Sequence, residues 1–485
     1  MLSRPLRRRI KALTRFLLGC LAINCSVMAN TLTVSLFPIH KDVDHTHIVS
    51  AGEYIVLDHF FRNMIWIDKH ASIQADLAES WNVDHSKKSI HFKLKKDQKF
   101  SNGEVIKASH VISSWKYQQS KGTATHYDFS LIKSFKQMND FEFEITMASE
   151  INIDLFTSLS QPEFGVIYNP EKASDYSISS GPFYLESKTE NEFHLVKNPY
   201  FISSGKTDKL IIQRQGVQQD SFEKLESGKL DFYIPYTGLS NDDAKKLSVS
   251  KIASETRPNI GFTYWLSLNP DLMDERERVA LRDNVALCMN KENLNFGGWE
   301  RARQLVFPNS FGAMSEVEMK GLYTTEGKAD FGKKTIKFLS FKGFAFNEQI
   351  QACIKSLGGK VEYTTYSDQK ELSKLIKENS YHVVLNNNDF ASLNVLKNFK
   401  WAFNESRPLF FLGKYKEKCL NLIEEGYRES DKLKREKIVI SLQKTVLENA
   451  LAVPLAYKRV IYLHNKKIKL DQWPMNFPFI NFDKI

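Results

Sequence analysis

A polar run that follows an apolar segment is the part of this sequence best suited to bind a small molecule. Residues 381–385 (YHVVL) are typical of a buried strand, and α/β sheets place ligands where strands end in polar loops. The five residues that follow are Asn386, Asn387, Asn388, Asp389 and Phe390. The amides offer hydrogen-bond donors and acceptors to a peptide backbone or a sugar. For Asp389 the alternative is that it only caps a loop or a helix.

Two tryptophans are candidates to line the same site. The rings of Trp265 and Trp299 would give a large contact area with little loss of conformational entropy. Each ring would fit equally well in a hydrophobic core.

Motifs for catalysis and metal binding give little support to either activity. GxSxG, HExxH and CxxC do not occur. Residues 204–207 (SGKT) resemble the end of a phosphate-binding loop, but Tyr200 stands where that loop needs glycine, so we predict a surface turn. His40, His45 and His47 have side chains that bind transition metals, yet they fit a solvated loop better. We therefore predict no enzyme, no metal site and no cofactor.

The first 29 residues have the layout of a secretory signal peptide. A basic segment at 4–15 precedes twelve apolar residues at 16–27, and residues 27–29 (VMA) suit cleavage before Asn30. Lipidation of Cys20, after the sequence LLG, is the second possibility, because few apolar residues precede it. Six of the ten excess positive charges lie in this leader, and the remaining +4 does not indicate nucleic-acid binding.

Three cysteines remain after the leader, at positions 288, 353 and 419. An odd number without close spacing is not typical of a disulfide framework or a zinc site. One disulfide is possible in an oxidising compartment, and the sequence leaves the pair open.

Alternating apolar residues and helical spacing divide the chain into elements. The length of 485 residues, with 42% hydrophobic residues, is typical of two or three globular domains. Strands are predicted near 32–36, 90–94, 141–147, 193–196, 209–212 and 258–269, and helices over 54–67, 111–115, 222–225 and 278–286. From residue 334 strands and helices alternate, which predicts a parallel sheet with covering helices. Asp431 is placed to cap a long amphipathic helix that follows it.

Four segments between residues 77 and 115 carry a resemblance to a known family. They are LAESW at 77–81, IHFKLK at 90–95, KFSNGE at 99–104 and ASHVISSW at 108–115. In this order and spacing they resemble the extracellular solute-binding proteins of ABC transporters, family 5, a family that includes oligopeptide- and dipeptide-binding proteins. Lys107 departs from the pattern, which usually has a helix-capping threonine. Later segments are also similar, at 181–185, 198–201, 222–231, 278–286 and 453–457.

The resemblance implies an α/β, periplasmic-binding-protein-like fold of class II, with two lobes, a hinge, mixed sheets covered by helices and an extra smaller domain. We assign residues 30–50, 155–260 and 450–485 to lobe 1, residues 51–154 to the additional domain II, and residues 261–449 to lobe 2. The family's early Leu-Asp-Pro is replaced here by residues 40–47, and its Gly-Trp before the binding aspartate is replaced by Asn-Asn.

The resemblance also implies a function. The protein is expected to be a periplasmic monomer that binds a peptide or peptide-like solute between its lobes and delivers it to an ABC permease. Asp389 matches the family's aspartate that pairs with the α-ammonium of the peptide. A nickel, haem, sugar or antibiotic-peptide ligand remains open, and a sensory module or an enzyme on this fold is a weaker alternative.

Overall fold

The structure is a computed structural model in which residues 30–485 are described, with several gaps. The gaps are residues 37–38, 49, 69–71, 122–128, 149, 152, 173–174, 215–219, 236–240, 259, 290–298, 323–330, 333, 368, 379, 391–394, 404–408, 430, 471–479 and 481. The predicted signal peptide and Cys20 therefore lie outside the described residues.

The strands and helices of the described residues alternate along most of the chain. The strands are β1 (Thr31–Ser35), β2 (Ile65–Ile67), β3 (Ile73–Ala75), β4 (Ala78–Asp84), β5 (Ser89–Leu94), β6 (Ile132–Asn139), β7 (Glu142–Met147), β8 (Phe183–Lys188), β9 (Glu192–Lys197), β10 (Lys209–Gln213), β11 (Phe232–Tyr233), β12 (Ala253–Thr256), β13 (Gly261–Leu268), β14 (Trp299–Arg301), β15 (Thr335–Phe341), β16 (Lys360–Tyr366), β17 (Val383–Asn388), β18 (Ala452–Arg459) and β19 (Tyr462–Asn465). The helices are α1 (Ala51–Phe60), α2 (Ala108–Lys121), α3 (Ile153–Leu159), α4 (Ser221–Glu226), α5 (Asn241–Val249), α6 (Glu275–Met289), α7 (Glu316–Met319), α8 (Asn347–Lys355), α9 (Gln369–Glu378), α10 (Val395–Ala402), α11 (Lys416–Arg428) and α12 (Lys432–Glu448).

Two large mixed sheets organise these elements. The first sheet has the order β12-β19-β11-β1-β10-β9-β8, and β1 runs parallel to both β10 and β11. The second sheet has the order β14-β18-β13-β17-β15-β16, and β15 runs parallel to β16 and β17. The parallel strands predicted after residue 334 are therefore confirmed, because strands joined by helices return in the same direction.

A smaller sheet carries the segment 77–115 that prompted the family resemblance. Its order is β4-β5-β7-β6, and Phe92 of β5 stacks on Phe143 of β7 with ring centroids 5.2 Å apart. The indole N–H of Trp115 on α2 donates to Phe164 O at 2.8 Å and ties that helix to the segment after α3. Lys107 N–H donates to His110 Nδ1 at 3.0 Å, so the histidine at the third helical position accepts from the residue before the helix, as a glutamate does in a capping box.

The two large sheets are joined by a pair of neighbouring strands. β12 leads into β13, and β18 leads into β19, so both connections cross at the same place. Val460 N–H donates to Ile260 O at 3.1 Å between the two crossing segments. The crossing segments therefore lie between two antiparallel strand pairs, β13 with β18 in the second sheet and β12 with β19 in the first.

The structure places four segments differently from the predicted domain bounds and the predicted helix over 54–67. Helix α1 ends at Phe60, and residues 65–67 are strand β2 rather than helix. Leu57 of α1 packs in the core of the first sheet, whereas Leu155 of α3 packs in the core of the small sheet. Strand β18 pairs with β13 in the second sheet, so the return to the first sheet comes after residue 459 and not at 450. Apolar spacing identifies a buried face but not its packing partner, which accounts for the placement of Leu57, Leu155 and β18. The strand at 65–67 is a difference of element type, which spacing over so few residues does not decide.

The structure shows the role of the capping aspartate and the pairing of the cysteines. Asp431 Oδ1 accepts a hydrogen bond from Lys434 N–H at 2.9 Å at the start of α12, as predicted. Cys288 and Cys353 form a disulfide between α6 and α8, with Cα atoms 6.0 Å apart, and Cys419 is free and buried. Within the described ranges, no helix is both long enough and apolar enough to cross a bilayer.

The disulfide should contribute measurably to stability, because it closes a loop with a sequence separation of 65 residues. We expect a Cys288→Ala/Cys353→Ala variant to lose about 2–4 kcal/mol of unfolding free energy. Urea unfolding of the wild type with and without a thiol reductant checks this value. The reductant should leave the double variant unchanged, and an equal response of both proteins would contradict the prediction.

His59 should make folding sensitive to acid. Its Nδ1–H donates to Ile55 O at 2.6 Å, its Nε2 accepts from Phe482 N–H at 3.1 Å, and burial lowers its pKa below the ordinary value, so the ring is neutral when folded. The unfolded chain takes up this proton near pH 6.5, so stability is full above that pH and falls as the pH drops towards the lowered folded pKa. Urea unfolding between pH 8 and 5 should show a smaller loss for His59→Gln than for the wild type. The exposed His47→Gln is the control, and parallel profiles for His59→Gln and wild type would refute the role.

Candidate functional site

The carboxyl ends of the parallel strands in both large sheets are turned towards the crossing. In the first sheet, Tyr233 at the end of β11 pairs with Leu463 near the start of β19. In the second sheet, Asn388 at the end of β17 pairs with Thr263 near the start of β13. β13 and β19 each have one end at the crossing, so the two carboxyl edges meet there. Ligands of open α/β sheets bind outside these edges, which makes the crossing the floor of the candidate site.

Three of the predicted site residues are packed inside the second lobe. Trp265 is buried, stacks on Phe410 at 4.8 Å and donates from its indole to Ser267 Oγ at 2.9 Å. Asn386 is buried and donates to Leu409 O at 2.9 Å, and Phe390 is buried against Phe399 at 4.5 Å. In this conformation their side chains contact protein rather than a cleft. The strand alternates between two faces, so residues 386 and 387 of one polar run have opposite surroundings.

The remaining polar residues of the run lie at the carboxyl edge. Asn387 is exposed, whereas Asn388 and Asp389 are half-buried. Asn388 Nδ2 donates to Asn398 O at 3.2 Å, and Asp389 N–H donates to Asn388 Oδ1 at 2.9 Å. Asn398 Nδ2 in turn donates to the carbonyl of Asp389. The backbone of Asp389 is thus fixed by two neighbouring amides at the edge of the sheet.

Trp299 lies on β14 at the margin of the second sheet. Its half-buried ring contacts Tyr264 at 5.0 Å and Phe346 at 5.4 Å. The ammonium of Lys458 lies 4.7 Å from the ring centroid. Burial, with a smaller contribution from the Arg257 guanidinium, lowers the pKa of Lys458 to about 8.

A pair of charged residues next to the crossing was missed by the sequence reasoning. Arg459, the last residue of β18, places its Nε 2.5 Å from Glu300 Oε1 of β14. Its guanidinium carbon lies 5.4 Å from the centroid of the Phe307 ring. The signal available in the sequence was a basic pair, Lys458 and Arg459, directly after the strand 453–457 that resembles the family.

The other candidate motifs lie away from this edge, or their residues contact other parts of the protein. His40 Nδ1 pairs with the buried carboxylate of Glu53, and His45 is buried and stacked on Tyr117 at 5.9 Å. The SGKT segment is a turn in which Lys206 N–H and Thr207 N–H donate to Ile485 O at 2.7 and 3.1 Å. Across the described residues, His, Cys, Asp and Glu side chains do not gather in threes as a metal site would need.

A family model covers half of the chain. The model described as bacterial extracellular solute-binding proteins, family 5 Middle, matches residues 72–316. This span includes the small sheet and β13, the strand that enters the second sheet from the first.

Two sequence relatives are binding proteins. A Haemophilus influenzae protein described as a binding protein is 26% identical over 187 residues, which is 35% of either chain. A dipeptide-binding protein of Lactococcus lactis subsp. cremoris is 23% identical over 266 residues, or 47% of this chain and 48% of that one. The chain therefore matches at most about half the length of these relatives.

Solved structures match over nearly the whole chain. NikA from Brucella suis, in complex with Fe(III)-EDTA, superposes with a TM-score of 0.77 at 17% identity, covering 94% of this chain and 99% of that one. DppA from Helicobacter pylori, a periplasmic binding protein in complex with the peptide STSA, gives a TM-score of 0.67 at 15% identity, covering 94% and 96%. These matches establish the two-lobed, periplasmic-binding-protein-like fold.

Gly261 should be required for the close approach of the crossing strands. A Cβ at this position would lie 2.1 Å from Lys458 O, so any side chain forces the backbone apart. We expect Gly261→Ala to lower the unfolding free energy by about 1–3 kcal/mol, measured by urea unfolding. Gly359→Ala is the matched control, because its nearest contacts would be at 3.4 Å. Equal small effects of the two substitutions would contradict the prediction.

Proposed function

The chain belongs to the family 5 bacterial extracellular solute-binding proteins, and on this premise we propose that it captures a peptide or peptide-like solute between its lobes and delivers it to an ABC permease. Proteins of this family serve transport by binding, so the solute is released unchanged. The matches to a dipeptide-binding protein and to a peptide-bound DppA favour a peptide among the solutes open to this fold.

The observation that carries the proposal is the polar edge of the second sheet beside the crossing. Asn387 is exposed there, and Asn388 and Asp389 are half-buried on a backbone fixed by amide hydrogen bonds. A carboxylate at this position suits an ammonium group, and the amides suit a peptide backbone. In the proposal Asp389 binds the α-ammonium of the peptide, and Asn387 and Trp299 lie within the same cleft. Trp265, Asn386 and Phe390 support this edge from the core.

Closure of the lobes follows from the same geometry. Both carboxyl edges face the crossing, so a ligand held there contacts both lobes only when they approach. Such a ligand shifts the population to the closed state by its differential affinity for that state. Water that bridges side-chain pockets lets one site accept several peptide sequences.

The setting of the protein follows from the family and from the first 29 residues. We propose export through the predicted signal peptide and action as a monomer in the periplasm, with lipidation at Cys20 as the alternative. Mass spectrometry of a co-purifying ligand would distinguish a peptide from the other solutes, such as nickel, haem or a sugar.

The ammonium role of Asp389 predicts a selective loss of binding. Asp389→Asn should weaken binding of free-amine alanine peptides by roughly 30-fold or more, because it removes one partner of a partly desolvated charge pair. N-acetylated peptides should lose little affinity. Isothermal titration calorimetry with both forms measures the difference.

A matched substitution controls for charge alone. Asp140 lies in the β6–β7 turn of the small sheet and pairs there with Lys107 at 2.8 Å, so Asp140→Asn should leave both affinities unchanged. Equal affinity of the wild type for free-amine and acetylated peptides would rule out the ammonium role.

A further inference from the structure

A loop at residues 198–208, between β9 and β10, presents apolar side chains at the outer end of the first sheet. β10 pairs with β1 from its first residue, Lys209, so the loop lies at the amino edge of the sheet, opposite to the crossing. Ile202 is 91% exposed and Tyr200 is 47% exposed, and these two side chains are called the apolar tip below. A single exposed apolar side chain is common in soluble proteins, so the surroundings of Ile202 decide its meaning.

The loop holds Ile202 in a fixed position. On one side, Tyr200 N–H donates to Oδ1 of the buried Asn198 at 3.0 Å. On the other side, the Ser203 hydroxyl donates to the Asp483 carboxylate at 3.0 Å. A side chain that protrudes from a fixed loop can enter an apolar medium without the entropic cost of ordering that loop. The apolar tip is therefore suited to insert into a hydrophobic surface.

Three lysines accompany the apolar tip. The Lys99 ammonium lies 5.2 Å from the centroid of the Tyr200 ring, and the Lys197 ammonium donates to Gly205 O at 3.2 Å. Lys206 is exposed. A ring and a carbonyl group do not neutralise an ammonium, so these contacts leave the positive charges in place. The tip thus combines exposed apolar groups with cations, as side chains that bind membrane surfaces do.

The first described residue of the chain lies at the base of the same loop. Asp208 N–H donates to Asn30 O at 2.9 Å, and Asn30 N–H donates to Asp208 Oδ2 at 3.0 Å. Lys197 N–H donates to Asp208 O at 2.9 Å and closes the loop. Asn30 follows the predicted leader, whose basic segment and twelve apolar residues would engage a membrane during export. The apolar tip and the start of the mature chain therefore lie at one edge of the first sheet.

We propose that the apolar tip docks the protein on an anionic phospholipid surface, with Tyr200 and Ile202 among the headgroups and the three lysines at the phosphates. Tyrosine suits this position because its ring is apolar and its hydroxyl is polar. The isoleucine side chain is stabilised by leaving water, and the ammonium groups by the anionic headgroups. So small an apolar area gives reversible attachment. Such attachment does not depend on which solute the protein binds, so it goes beyond the proposed function.

A bilayer fits the apolar tip better than a protein partner does. A stable protein interface buries roughly 800 Å² on each side, and two partly exposed side chains offer much less apolar area than that. A bilayer needs no matching groove and accepts single protruding side chains. The carboxylates of Asp208 and Asp483 oppose an anionic surface little, because Asp483 is buried and Asp208 accepts from Asn30 N–H.

Flotation of the mature protein, residues 30–485, with lipid vesicles tests the proposal. Vesicles of phosphatidylcholine with about 30% phosphatidylglycerol should bind the wild type about 10-fold more tightly than phosphatidylcholine alone, because the anionic surface attracts the lysines. This difference should disappear in about 1 M salt, where the Debye length is about 3 Å. Equal binding to both kinds of vesicle, or binding to neither, would overturn the proposal.

Substitutions at the loop locate the contact. Ile202→Ser should lower the affinity for the anionic vesicles about 10-fold, because a hydroxymethyl group gains little by leaving water. Lys206→Gln should lower it about 5-fold and reduce its salt dependence. Val317→Ser is the matched control, because Val317 is 81% exposed on α7 of the second lobe, and it should leave the affinity unchanged.

Two further measurements separate the outcomes. Urea unfolding of Ile202→Ser and Val317→Ser should match the wild type, because both side chains are exposed, so a loss of vesicle binding is not a loss of folding. Equal vesicle binding by Ile202→Ser and the wild type would show that the tip is not the contact. If the wild type binds no vesicle and Ile202→Ser impairs solute uptake by cells, the tip contacts a protein and the lipid proposal is wrong. The vesicle comparison stands whether or not the protein binds peptides.

Discussion

The paired crossing of two strands is the constraint on which the rest of the structure depends. The hydrogen bond from Val460 N–H to Ile260 O links the crossing segments, so the lobes can bend about the pair but neither segment moves alone. The close approach at Gly261, where a Cβ would meet Lys458 O at 2.1 Å, gives the pair little freedom to separate. Because the carboxyl edges of both sheets end at this pair, the crossing fixes where the two edges meet, which is where open α/β sheets bind ligands.

Two charged residues beside the crossing compensate each other. Arg459 Nε lies 2.5 Å from Glu300 Oε1, and the guanidinium carbon lies 5.4 Å from the centroid of the Phe307 ring. Because opposite charges are paired there, these two side chains add no net charge to the edge of the second sheet.

The sequence predicted the elements well and their partners less well. The strand 89–94, the capped helix after Asp431 and the parallel strands after residue 334 follow from local periodicity and cap chemistry, and all three are present. The placement of β18 in the second sheet and the end of α1 at Phe60 depend on long-range packing, which periodicity does not encode. At the site, composition alone identified the polar run. The alternation of the strand buries Asn386 and exposes Asn387, and only the packing of the sheet shows which of the two side chains is buried. Arg459 and Glu300 are 159 residues apart in sequence and meet through strand pairing alone.

The shared fold does not identify the solute, which has to be inferred from the side chains at the carboxyl edges of the two large sheets. The structures that match this chain hold a metal chelate in one case and a peptide in another, at 17% and 15% identity. In this chain the fold brings two carboxyl edges together at the crossing, and specificity depends on the side chains placed there. The edge of the second sheet presents Asn387, which is exposed, and Asn388 and Asp389, which are half-buried. Amides donate and accept hydrogen bonds and a carboxylate accepts them, so the same edge can bind chemically different polar solutes and the fold alone does not select among them.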